Sequence, residues 1–147
     1  MTRQAWICHG LPTPIGRYGG ALTTVRPVDL AVTVINAIVT RNPKFDSVAV
    51  DDLLIGYTNQ SGEDNRNVPW MSGLLSKLPD TVPAMTVNRL CASGVDSVEI
   101  AARSIGAGEA DLCIDGGVES TSRAPFVVPK TATPVGRNLT LLDTTMG

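Results

Sequence analysis

The 147-residue chain has no apolar run of the ~18 residues that a membrane-spanning helix requires. Its start, Met1-Thr2-Arg3-Gln4-Ala5-Trp6, lacks the long apolar stretch of a secretory signal. Charge of either sign is not in excess. Twelve Lys and Arg against fourteen Asp and Glu leave a net −2, which gives no electrostatic reason to expect nucleic acid or an anionic membrane as a partner. Cysteine is scarce: three residues, an odd count without ligand spacing, argue against a disulfide framework and against a metal site. A reducing, cytoplasmic setting fits this pattern. Histidine is reduced to His9 alone, and no internal repeat or low-complexity tract is present.

What remains is ordinary globular material, 43% apolar and 18% charged, long enough for one domain with a real core. Its organising stretch is Thr86-Val87-Asn88-Arg89-Leu90-Cys91-Ala92-Ser93-Gly94-Val95. A short strand, Ala84 to Val87, leads into an abrupt turn that carries Cys91, and a helical pattern follows to about Gly106. A thiol at the first turn of a helix sits near the positive end of the helix dipole, a setting that favours thiolate and makes a nucleophile. The competing reading is a free cysteine packed as a small apolar group. The helix predicts a narrow charged strip, Asp96, Glu99 and Arg103, with Glu99 and Arg103 spaced to pair. The rest of its circumference is small or apolar, which predicts a buried central helix beginning at Cys91.

The other elements alternate. Residues 4 to 8 read as a first strand. The Pro- and Gly-rich run from His9 to Gly20 reads as a loop that resembles a phosphate loop only loosely. Pro27 suits the start of a helix over 28–41, which Asn42-Pro43 ends. Residues 49 to 57 read as a second strand, in which Asp51 and Asp52 point to opposite faces and make no matched acid/base pair. A polar loop, Asn59 to Asn67, follows. Asn67 then caps a helix to about Lys77. Gly106 and Gly108 end the central helix. Leu112-Cys113-Ile114 reads as a buried strand, with Cys113 in the core. It exits through Asp115-Gly116-Gly117-Val118-Glu119-Ser120. Strands alternating with helices give an α/β fold with a mixed or parallel sheet. Strand exits at the carboxyl end of such a sheet line the site, which would bring Glu119 or Ser122 near Cys91; a buried structural carboxylate is the alternative for Glu119. The glycine-flanked serine of the α/β-hydrolase elbow is absent. His9 as a base for Cys91, in a small hydrolase, has no support from spacing.

Asn88-Arg89-Leu90-Cys91-Ala92-Ser93-Gly94, taken with Gly116-Gly117-Val118-Glu119-Ser120, resembles the N-terminal half of a thiolase, an acetyl-CoA acyltransferase. Thr13 to Gly20, Asn59 to Asn67 and Ser122-Arg123-Ala124-Pro125-Phe126 follow in family order, and the combination is most similar to the β-ketoadipyl-CoA branch. The resemblance implies two similar halves stacked in five layers, with a loop domain inserted in the first. On this sequence it implies an α/β core over 1–123 and the start of the loop domain over 124–147. It implies Cys91 as the nucleophile that carries an acyl thioester, acyl-CoA and CoA as substrates, no bound cofactor, no metal, and a homo-oligomer. The histidine, second cysteine and asparagine-held water of the family belong to the C-terminal half, and neither Cys8, Cys113 nor His9 stands in their motifs. Acyl transfer with little or no turnover by these residues alone is therefore one expectation; a non-catalytic unit that complements a separate C-terminal half is another. Departures from the family pattern are Pro12, Pro69-Trp70, Thr121 and Asp115. Asp115, at the end of a buried strand, needs a partner or becomes protonated.

Overall fold

The protein is described from a computed structural model that covers residues 3–59, 62–64, 67–132 and 139–145. Its elements in chain order are α1 (Pro27–Arg41), β1 (Asp52–Gly56), α2 (Val68–Leu75), β2 (Ala84–Val87), α3 (Ser93–Ala107), β3 (Cys113–Gly117), β4 (Phe126–Val127) and β5 (Leu142–Asp143). The sheet is parallel, in the order β2-β1-β3, with Leu54 opposite Met85 on one side and Asp115 on the other. β4 and β5 form a separate antiparallel pair.

The fully buried run Leu53-Leu54-Ile55 makes β1 the central strand, covered on both faces as parallel sheets require. Leu53 and Ile55 point to one face, where Ala31 and Ile35 of α1 pack with Val50, Leu78, Val82 and Ile114. α2 lies on that face too, with Val68 and Met71 against Val28 and Tyr57. α3 lies on the other face against β1 and β3. The crossover β1-α2-β2 runs toward one edge and β2-α3-β3 runs back past β1 toward the other. Right-handed crossovers in opposite directions must use opposite faces, so the two connections diverge at the carboxyl ends of β1 and β2.

Local chemistry sets several element ends. Pro27 stands in the first turn of α1, and Asn42 Nδ2 donates to the Ile38 carbonyl at 2.6 Å at its end. Asn67 caps α2 as its sequence predicts, its Oδ1 accepting from Trp70 N–H at 3.3 Å. Pro69 costs nothing there, because the first helical N–H groups have no intrahelical acceptor. α3 ends on Gly108 in the left-handed conformation (φ +79°), while Gly106 stays helical. Parts of the Asn59–Asn67 loop, residues 60–61 and 65–66, lie outside the described residues, as do 133–138 and the last two residues.

Four expectations are corrected. Residues 4 to 8 form no strand: a strand needs a hydrogen-bonded neighbour, and none of the described strands pairs with them, so Trp6 and Ile7 stand 75% and 85% exposed. β1 and β3 are shifted from the expected bounds to 52–56 and 113–117, while the three-stranded sheet takes the parallel form, one of the two expected. α3 is covered on the sheet side only, with Val95 75% exposed on the other. Finally, Asp96 is not on the solvent strip. It is buried at the first turn of α3 and pairs with Arg89, its Oδ2 3.2 Å from Arg89 Nε. Glu99 and Arg103 do pair on the outer face.

Candidate active site at the strand exits

A turn must reverse the chain between the end of β2 at Val87 and the start of α3 at Ser93. It does so through Leu90, the sole non-glycine residue with positive φ (+52°) among the described residues. Asn88 Oδ1 accepts from Leu90 N–H at 3.0 Å, a local side-chain turn of the kind asparagine favours. Ser93 closes it from the helix side: its Oγ accepts from Arg89 N–H at 2.8 Å and donates to the Leu90 carbonyl at 2.5 Å. Ala92 is the helix N-cap, so Cys91 stands one residue before the cap and not in the first turn itself. It is exposed, beside the positive end of a fifteen-residue helix.

The depth of the helix tip is set by glycine. A Cβ on Gly56 would stand 2.2 Å from the Ser93 carbonyl carbon and 2.4 Å from Gly94 N, and one on Gly117 3.0 Å from Gly94 Cα. Small residues at all three points let α3 descend onto the ends of β1 and β3. Ser97 Oγ bonds the Gly94 and Gly116 carbonyls at 2.7 and 2.6 Å, which ties the same helix turn to β3.

The result is a cavity of about 750 Å³ at the divergence of the two crossovers. Its floor is Gly56, Ser93, Gly94 and Gly117, and its walls include Tyr57, Thr58 and Asn59 after β1, Leu90 and Cys91 after β2, and Val118 and Glu119 after β3. Its volume suits an extended small-molecule group. Thr144 and Thr145 line it from the β5 side, where Asn59 Nδ2 donates to the Thr144 carbonyl at 3.1 Å.

Cys91 and Glu119 thus share one cavity, but Ser122 does not. A short 3₁₀ turn, Thr121–Arg123, carries Ser122 to a shallower depression, where its Oγ accepts from Gly19 N–H at 2.9 Å. That bond and the one from Gly20 N–H to the Arg17 carbonyl occupy the last two N–H groups of the glycine-rich loop. Arg123 fastens the same region through a paired contact with Glu63, with Nη2 to Oε2 at 2.6 Å, and through Nη1 to the Thr23 carbonyl at 3.0 Å. His9 is exposed in the N-terminal segment and does not line the cavity.

The other cysteines differ from Cys91. Cys113 is half-buried, not core, on β3. Burial, with the nearby carboxylates of Asp52, Asp115 and Asp51, pushes its thiol up to about 11, so it stays protonated at neutral pH. Asp115, two residues on, is exposed and so is not the buried carboxylate that the strand predicts; partial desolvation still raises its carboxyl above the ordinary value. Asp51 is held below the usual carboxylate range by the Asp111 and Leu112 N–H groups, and so closes the start of β3; Asp52 is raised by burial. Asp51 and Asp52 lie at the amino end of the sheet and Asp115 in the middle of β3, and none of the three lines the cavity.

A family profile described as the thiolase N-terminal domain matches residues 5–145. The chain belongs to the thiolase family. It is 53% identical over 145 residues to the 3-oxoadipyl-CoA/3-oxo-5,6-dehydrosuberyl-CoA thiolase of Escherichia coli K12, covering 99% of this chain and 36% of that one. It is 52% identical over 147 residues to the β-ketoadipyl-CoA thiolase of Pseudomonas knackmussii, covering all of this chain and 37% of that one. Among solved structures, the acetyl-CoA acetyltransferase of Bacillus anthracis superposes with a TM-score of 0.87 at 30% identity, over 97% of this chain and 36% of that one. The Acat5 thiolase of Ascaris suum, in complex with coenzyme A, gives 0.80 at 28% identity, over 89% and 34%. The thiolase chain described here therefore spans about a third of the length of these relatives.

Proposed function

We propose that these residues form the nucleophile-bearing half of an acyl-CoA acyltransferase that exchanges an acyl group between a 3-oxoacyl-CoA and CoA. The observation that carries the reading is Cys91: an exposed thiol on a fixed turn, at the mouth of a helix, opening on a cavity at the strand exits. In the forward direction the Cys91 thiolate attacks the C3 ketone carbon of the substrate. The bond between C2 and C3 breaks, its electron pair becomes the enolate of acetyl-CoA, and a proton completes acetyl-CoA. The acyl group stays on Cys91 sulfur as a thioester. The thiolate of a second CoA then attacks that carbonyl and releases Cys91. The Cys91 backbone N–H would serve the carbonyl oxygen as negative charge develops on it.

A 3-oxoadipyl-type acyl chain from aromatic catabolism is the substrate class that the named relatives favour. The groups that handle protons in this cycle come from outside the residues described. Losing one member of such a unit costs several orders of magnitude in rate, so the chain by itself takes an acyl group slowly and does not turn over. We place the boundary between the α/β core and the loop domain at Arg123–Ala124, consistent with the separation of the β4–β5 pair from the parallel sheet. Assembly into a homo-oligomer, with a C-terminal half over α3, belongs to the same proposal. It is supported by the outward Val95 and by exposed Met85 and Leu90 near the helix tip. A cytoplasmic setting also belongs to it; no helix among the described residues is long and apolar enough to cross a membrane.

The same exposed residues favour a second reading, a non-catalytic unit completed by a separate half. The deciding measurement is intact mass after incubation with acetyl-CoA or acetoacetyl-CoA, beside Cys91→Ser. An adduct on the parent and none on the variant supports the nucleophile. No adduct on a folded parent overturns Cys91 as a self-sufficient acyl acceptor and leaves the second reading.

A further inference from the structure

The exits of the three parallel strands meet at Thr58, and all three of its polar groups are engaged. Its N–H donates to Glu119 Oε2 after β3 at 2.9 Å. Its Oγ1 donates to the Leu90 carbonyl at 3.1 Å. Its carbonyl accepts from Asn88 Nδ2 after β2 at 3.0 Å. Asn88 closes the circuit, because its Oδ1 holds Leu90 N–H at 3.0 Å. The Leu90 carbonyl is thus held from the helix side by Ser93 and across the strand exits by Thr58, and the Leu90 N–H by Asn88.

Leu90 needs that support. A branched residue in the left-handed region is strained and persists only where its surroundings over-determine it. Packing does not supply the restraint, since the Leu90 side chain is 68% exposed. The hydrogen bonds do, and the residue they hold precedes the thiol. Glu119 enters the circuit through Oε2, which accepts the Thr58 N–H, the posture of an acceptor that holds the chain.

Resting on the acyl-transfer reading of Cys91, we propose that Asn88, directly and through Thr58, and Glu119, through Thr58, are positioning residues that hold the Leu90 turn and aim Cys91, with Glu119 acting as an acceptor and not as a base. A glutamine at 119 offers the same acceptor oxygen without the capacity to take a proton, which separates the two roles.

The test compares two reactions of Cys91, each read by intact mass across neutral to alkaline pH on samples whose melting is recorded. Acetylation by acetyl-CoA requires the carbonyl to be placed against the turn; alkylation by iodoacetamide does not. Glu119→Ala and Asn88→Ala should slow acetylation about 10- to 100-fold, the cost of a misplacement near 1 Å, and change alkylation by less than about 3-fold. Glu119→Gln should recover the parental acetylation rate and its pH profile. Glu119→Gln as slow as Glu119→Ala, with an altered pH profile, assigns Glu119 as a base and overturns the proposal. Alanine variants acetylated at the parental rate, or slowed equally in both reactions, overturn it too. A folded parent that takes no acetyl group overturns the underlying reading, and that outcome is visible before any variant is made.

Discussion

Replacing Gly56 by alanine adds one methyl group where α3 meets β1. The new carbon would stand 2.2 Å from the Ser93 carbonyl carbon, 2.4 Å from Gly94 N and 2.4 Å from the Ser93 carbonyl oxygen. All three are backbone atoms, so no side chain can rotate away and the helix tip itself must lift. Overpacking a well-filled core costs about 1–3 kcal/mol, and a clash against backbone on this scale belongs at about 3 kcal/mol or above. For a chain of this size that is a loss of roughly 10 °C or more in Tm. Two further glycines calibrate the scale. A Cβ on Gly117 meets Gly94 Cα at 3.0 Å, a contact that a shift of a few tenths of an ångström relieves, so Gly117→Ala should cost about 1 kcal/mol. A Cβ on Gly94 meets Gly117 Cα at 3.5 Å, an ordinary contact. Because alanine also favours the helix, Gly94→Ala should be neutral or stabilising by up to about 1 kcal/mol. Thermal and urea denaturation read the order, and the acetylation rate of Cys91 reads its consequence, since the lifted carbonyl lies two residues after the thiol. A Gly56→Ala chain with parental Tm, or one more stable than Gly94→Ala, would refute the claim that backbone contact with β1 seats the helix.

Leu90→Gly removes the left-handed strain together with an exposed side chain, so the urea midpoint should stay level or rise by the equivalent of about 1 kcal/mol; a clear fall would show that the side chain, not the hydrogen-bonded turn, holds this conformation. Partial desolvation raises the Asp115 carboxyl above its ordinary value, so the folded chain binds the proton more tightly than the unfolded one and stability falls as pH rises through the raised value. Asp115 is exposed and screened by solvent, so Asp115→Asn should be only slightly more stable than the parent near neutral pH, and the gap should close below the ordinary aspartate range of about 3.9; urea midpoints across pH that run parallel for the two chains would remove the argument.

Much of this architecture can be read from the residues because local chemistry and tertiary demand agree. Asn67 is a cap with a helix behind it, Pro27 and Asn42 bracket α1, and β2 begins and ends where the run Ala84 to Val87 does. The misses arise where a partner decides. Residues 4 to 8 have the composition of a strand, but a strand exists only through its neighbour. The apolar circumference of α3 shows which residues resist water, yet it cannot show how many sides of the helix are covered, and Val95 faces out. The charge and spacing of Asp96 place it on the same strip as Glu99 and Arg103; its partner Arg89 reaches it because the Leu90 turn folds the strand end back over the helix.

The same limit explains which parts of the site were legible. Cys91 and Glu119 each carry a local signal, a turn between strand and helix and a glycine-rich strand exit, so a common cavity follows from the rule for parallel sheets. Ser122 is three residues from Glu119 and carries an equal chemical signal, but one 3₁₀ turn sends it to Gly19 instead. Thr58 carries no signal at all, and a leucine is not a residue expected at positive φ. Both acquire their roles from the juxtaposition of three strand ends that are distant in sequence. The hydroxyl, amide and carboxylate there satisfy a backbone that bends at a cost, and that cost fixes the side chain next to it in one direction. A thiol on a relaxed loop would sample many directions and spend little time facing a carbonyl carbon. On the proposed reading of Cys91, the strain at Leu90 and the hydrogen bonds around it are parts of one device: the bonds hold the bend, and the bend sets the direction of the thiol.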